Sequence, residues 1–205
     1  MAEKEEILRQ TALAFDFIQK LYLEVSYLIK EIEGTLQEED EKFVIGRPAG
    51  YGISARSSTG LESNNVSLWL LKKFAVFFVS EEKTKLERGQ TITELHKDLK
   101  VLYLRIVLND KNIDEPIVYL GVLYNIEKKP QAKGINKFES IMGYIEYNDD
   151  KIFKKPQEID YEDAYVRLQG ELIKNNLYDI NDSQTLYDKI IKPSLELYRK
   201  LDKKL

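Results

Sequence analysis

A chain of 205 residues that is 43% hydrophobic and 32% charged has enough apolar material for one packed domain and too much for a disordered one. Its net charge of -4 runs against a surface built to neutralise phosphates, which disfavours nucleic acid as a partner. The lack of cysteine excludes disulfides, thiolate metal sites and a cysteine nucleophile; with no apolar run of membrane length and no leader-like pattern in MAEKEEILRQ, the chain reads as cytoplasmic, with no membrane partner.

Residues 3–33 predict a long helix. Ile7, Ala14, Leu21 and Leu28 recur every seven residues, as do Leu8, Phe15, Tyr22 and Ile29, and Ile18, Val25 and Ile32 add a third row. Gly34 is placed to end it. About 30 residues at ~1.5 Å each make roughly 45 Å, whereas a compact domain of this size has a radius of gyration near ~17 Å. The helix therefore crosses the domain or projects from it. Three adjacent apolar rows exceed a strict coiled-coil seam and favour packing on a sheet. Leu13, Phe17, Leu23 and Tyr27 on the outer face are left for a partner, either a second copy in a homodimer or another protein. QEEDEK, residues 37–42, reads as an acidic linker.

The middle of the chain reads as β. Tyr51, Ile53 and Ala55 alternate with Gly52, Ser54 and Arg56 as in a half-buried strand, and Ser57 to Asn65 reads as a loop. Phe74 to Val79, Leu99 to Leu108 and Ile117 to Ile126 predict three strands of a meander, with NDKNIDEP as the loop before the third. Val66 to Leu71 either extends the first strand or forms a helical turn, and Thr91 to His96 suits a short edge strand. Asn136 and Glu139 have capping-box spacing ahead of a helix carrying Ile141, Met142 and Ile145. Asp160 is read as the N-cap of a helix over residues 161–175 with Tyr165, Leu168 and Leu172 on one face. Ser183 is read as the cap of a last helix that Pro193 must kink or restart. The expectation is a single α+β domain over residues 1–205: a long helix over 1–34, mainly β over 43–126 and mainly α over 136–205. An antiparallel meander sheet packs against the long N-terminal helix and the C-terminal helices, with helices on one face, while the apolar central strands call for burial on both sides.

The stretch GRPAGYGISARSSTGLESNN, residues 46–65, holds four of the ten glycines. It is no phosphate loop of the GxxxxGK[ST] type, because Leu61 and Glu62 follow Gly60. Nor is it a dinucleotide fingerprint, because Ala55 stands in place of the third glycine and a strand pattern follows. A turn, a strand and a loop account for it. The sharper alternative is a small-anion or nucleotide-binding loop in which Arg47, Tyr51, Arg56, Ser57 and Ser58 hold a carboxylate or phosphate.

His96 is the only histidine, and nothing positions a nucleophile beside it. Glu81-Glu82-Lys83 after an apolar strand resembles the (D/E)xK motif of metal-dependent nucleases. That resemblance implies two carboxylates on Mg²⁺, with Glu62 the nearest second acid, and Lys83 supporting the attacking water. The leading expectation is a non-catalytic interaction or regulatory protein acting as a homodimer through its first helix, without metal or cofactor.

Overall fold

Val, Ile, Phe, Tyr and Leu crowd the strand segments so densely that neighbouring residues on both faces are apolar, and this demands a covered sheet. The computed structural model describes residues 2–46, 71–85, 99–133 and 138–202. Within them the strands are β1 (Phe43–Ile45), β2 (Lys73–Ser80), β3 (Val101–Val107), β4 (Ile117–Lys128), β5 (Ile159–Glu162) and β6 (Val166–Asn176). They form one antiparallel sheet in the order β1-β2-β3-β4-β6-β5. The expected meander is β2-β3-β4, with Arg105 opposite both Ala75 and Tyr119. The chain is α+β.

Alternation divides the core in two. Phe74, Val76, Phe78, Leu102, Leu104 and Ile106 face one side, where they meet Val25, Ile29, Ile32 and Leu36 of α1 (Ala2–Glu38) and the C-terminal helices. Phe77, Val101, Tyr103 and Val107 face the other. There they meet α3 (Phe138–Tyr147) and α4 (Asp149–Ile152), which follow the single-turn helix α2 (Glu81–Thr84) in the chain. Helices thus cover both faces, not one. With both alternate sets of side chains apolar, one helical layer cannot shield the sheet. Residues 138–147 are helical as expected, while the Asn136 cap lies outside the described residues.

Gly34 does not end α1, which runs on to Glu38. Leu36 extends the row of Tyr22 and Ile29 by another seven residues and is fully buried in one cluster with Phe43. Burying a leucine contributes about 1.5–3 kcal/mol, which exceeds the ~1 kcal/mol cost of a mid-helix glycine.

The helix expected over residues 161–175 is instead the β5–β6 hairpin. Leu168 and Leu172 fit both periods, but Val166 and Gly170 share their buried face while Arg167 and Glu171 lie outside, so the period is two. Asp160 belongs to β5 and caps nothing. The turn is set by Asp163, whose Oδ1 accepts from the N–H groups of Tyr165 and Val166, each at 2.8 Å.

At the C-terminus, α5 (Ser183–Leu186) is capped not by Ser183 but by Asp182, which accepts from Thr185 N at 2.7 Å. A π-turn over Tyr187–Ile191 leads into α6 (Lys192–Asp202). Pro193 has no N–H for the carbonyl of Lys189, and Asn175 Nδ2 donates to that oxygen at 3.0 Å. The proline restarts the helix without leaving a carbonyl unpaired.

Candidate functional site

A cleft of about 950 Å³ opens where α4 and the β3–β4 loop meet the ends of β2 and β3. Its floor is Arg105, the one charged residue inside the buried run VLYLRIV. Arg105 is 8% exposed. Its Nη2 donates to Asp149 Oδ2 at 2.7 Å. The guanidinium lies 5.8 Å from the ring centre of Tyr119 and 5.0 Å from that of Phe153. Phe153 in turn stacks on Tyr103, with ring centres 5.3 Å apart. Aromatic faces favour a cation, so these rings stabilise the guanidinium where it lies.

Lys73, at the start of β2, forms the rim. Its Nζ lies 2.8 Å from Asp149, 3.1 Å from Asp110 and 3.1 Å from Asp150. Burial disfavours the charged form of Lys73, but hydrogen bonds to Asp149, Asp110 and Asp150 prevail and raise its pKa. Burial also works against ionised Asp149 and Asp110, yet Lys73, joined at Asp149 by Arg105, holds both below the usual carboxylate range. Burial pushes the Tyr119 hydroxyl upward, so that it stays protonated at neutral pH. Arg105, Lys73 and Tyr119 therefore offer positive charge and a neutral donor to the cleft.

Arg47, Tyr51, Arg56, Ser57 and Ser58 lie outside the described residues, as do Glu62, Trp69 and His96. The nuclease-like pair is described in part. Glu81 and Lys83 sit on α2, and Lys83 Nζ reaches Glu41 at 3.3 Å and stands 4.9 Å over the Tyr198 ring. Among the described residues no group of three or more acids or histidines is placed to hold a metal ion. The sequence reading missed Arg105, Lys73 and Asp149. The available signal was a lone arginine inside a strand whose neighbours are all core-forming, since charges are rarely buried there unless paired.

A second surface is the free half of α1. From Lys4 to Lys20 every side chain except the half-buried Ile18 is exposed. Ile7, Leu8 and Phe15 are 57%, 59% and 64% exposed. Leu8 and Phe15 continue the row that buries Ile29 and Leu36 farther along the same helix, Ile18 continues that of Val25 and Ile32, and Ile7 that of the half-buried Leu21 and Leu28. The helix thus carries its core-facing stripe past the edge of the sheet. Where it leaves the domain, a groove of about 390 Å³ runs between Leu21 and Leu28 on one side and Leu177 and Ile180 on the other. Among the described residues no helix is long and apolar enough to cross a membrane.

No family model matches the chain, nor does any curated protein or solved structure.

Proposed function

We propose that the chain is a cytoplasmic interaction or regulatory protein that works without catalysis as a homodimer, joined through the N-terminal half of α1. The observation that carries this is the continuous stripe. Phe15, Tyr22, Ile29 and Leu36 share one row at seven-residue spacing; the C-terminal members pack on the sheet, while Phe15 is 64% exposed. A second copy supplies the same stripe, so two helices laid antiparallel about a two-fold axis cover each other. Charges flank the seam in self-satisfied pairs, Arg9 with Glu6 and Lys20 with Asp16, each 2.8 Å apart. The rim therefore does not demand a charged partner.

Covering Ile7, Leu8, Phe15 and Ile18 on both copies contributes on the order of 10 kcal/mol, at ~1–1.5 kcal/mol for each partly covered side chain. Lost rigid-body freedom costs about 4–15 kcal/mol. The dimer reaches micromolar affinity only if the seam also engages the groove beside Leu21, which lies on the same path. Sedimentation equilibrium of the full chain across about 1–100 μM tests this, a range bracketing that affinity. A concentration-dependent dimer that the double variant Leu8→Glu, Phe15→Glu converts to monomer is the expected result. A wild-type chain that stays monomeric throughout the range overturns it.

A further inference from the structure

The geometry points to a small organic carboxylate as the ligand of the cleft over Arg105. A guanidinium carries five N–H donors in a planar fork. Arg105 gives one to Asp149, in a single-toothed contact. Nε and Nη1 meet no acceptor among the described residues, and neither is sealed from solvent. Arg105 lines the cleft, so these donors open onto it. A residue kept only to neutralise Asp149 would turn both teeth of the fork to that carboxylate. The Tyr119 hydroxyl repeats the pattern. Tyr119 is 7% exposed, lines the same cleft, and its hydroxyl makes no hydrogen bond among the described residues. Two side chains more than nine-tenths buried thus present, to one solvent-open cavity, donors that no acceptor among the described residues takes, and there a ligand can replace water.

The ligand class follows from shape and charge. Asp149 takes one hydrogen of Nη2, so the second Nη2 hydrogen with Nε or Nη1 leaves one edge of the guanidinium for a planar two-oxygen group, and the Tyr119 hydroxyl is a further donor on a residue lining the same cleft. Five cationic and four carboxylate side chains line the cleft, which leaves room for a single negative charge more readily than for two. That favours a monocarboxylate over a phosphate dianion. Val107, Ile113 and Phe153 form an apolar wall for the body of the ligand, and the cleft volume falls in the range that accepts small organic molecules. None of this depends on α1, so the site stands whether or not the chain dimerises.

Titration calorimetry of the full chain at neutral pH, with benzoate, acetate and inorganic phosphate as probes, tests the assignment. Benzoate should bind saturably and more tightly than acetate, with Kd between micromolar and millimolar for a ligand of its size. Tyr119→Phe keeps the ring under Arg105 and removes the hydroxyl, and should weaken benzoate about tenfold, the worth of one hydrogen bond to a charged group. Arg105→Lys keeps the charge and removes the fork, and should abolish binding; its circular dichroism reports whether the fold is retained. Absence of saturable heat with benzoate up to about 10 mM overturns the proposal. So does an unchanged affinity in Tyr119→Phe, and so does phosphate binding more tightly than benzoate.

Discussion

Arg105 Nη2 and Asp149 Oδ2 lie 2.7 Å apart, joining the middle of the sheet to the first residue of a four-residue helix. A helix so short has little stability of its own, so α4 is held by this contact and by Lys73 at 2.8 Å from the same oxygen. Asp149→Ala removes the shared acceptor and leaves two cations behind. Lys73 keeps Asp110 and Asp150, while Arg105 keeps no carboxylate among the described residues. Loss of one partner of a buried pair costs about 3–5 kcal/mol. Urea unfolding should show a drop of that size for Asp149→Ala and a smaller one for Asp149→Asn.

Acid should weaken the fold through Asp163. Burial raises its pKa, but hydrogen bonds from the hydroxyls of Tyr144 at 2.6 Å and Tyr161 at 2.7 Å, with those from Val166 and Tyr165 N–H, hold it down to about 2. The same carboxylate pushes the Tyr161 hydroxyl, already raised by burial, up to about 12. An unfolded aspartate titrates near ~3.9, so between these values the unfolded chain binds more protons. This contribution is fully present above about pH 5 and is lost as the pH falls through 4 towards 2. Melting temperatures recorded from pH 6 to pH 2 should fall in that window. Asp163→Ala should flatten the fall and cost about 2 kcal/mol at neutral pH, because the β5–β6 turn and Tyr144 lose their common acceptor.

What could be read from the residues followed how local each signal is. The meander was legible because β2, β3 and β4 are long apolar runs separated by a polar loop, and α1 because its rows repeat over many turns. The β5–β6 hairpin was misread because Leu168 and Leu172 satisfy a helical period as well as a strand period. Only the placement of Val166 and Gly170 against β4 decides between them. The cleft was hidden for a different reason. Lys73, Arg105, Tyr119 and Asp149 come from four elements and meet only through sheet register and the docking of α4. The glycine-rich stretch drew notice instead because its signal is contiguous.

Gly34 should tolerate a side chain. It lies inside α1, and a Cβ built there meets nothing within 4 Å. Gly34→Ala should raise stability by about 0.5–1 kcal/mol by reducing the freedom of the unfolded chain, an increase of about 2–4 °C per kcal/mol in melting temperature for a domain of this size. An unchanged or lowered melting temperature would show that the glycine is needed for the bend or packing of the helix.

Gly121 should not tolerate one. A Cβ there would stand 2.1 Å from the carbonyl oxygen of Glu171 and 2.6 Å from Leu172 Cα, both backbone atoms of the paired strand β6. Backbone in a central ladder cannot move aside without breaking its hydrogen bonds, so Gly121→Ala should cost about 3 kcal/mol or more. Reduced soluble yield together with loss of near-ultraviolet circular dichroism would report it.

Two variants on one helix should separate folding from association. Ile32 is fully buried on the sheet, and Phe15 is 64% exposed on the free half of the same stripe. Ile32→Ala removes core volume and should cost about 2–4 kcal/mol, with the dimer dissociation constant changed by less than about threefold, since the free half is untouched. Phe15→Glu removes no core contact and should leave unfolding stability within about 0.5 kcal/mol, while placing a charge in the seam and weakening association by tenfold or more. Unfolding is to be followed at a protein concentration well below the dissociation constant, because a dimer stabilises its own fold by mass action and would otherwise make Phe15→Glu look destabilising. If Phe15→Glu leaves self-association intact, the free half of α1 is not where two copies meet.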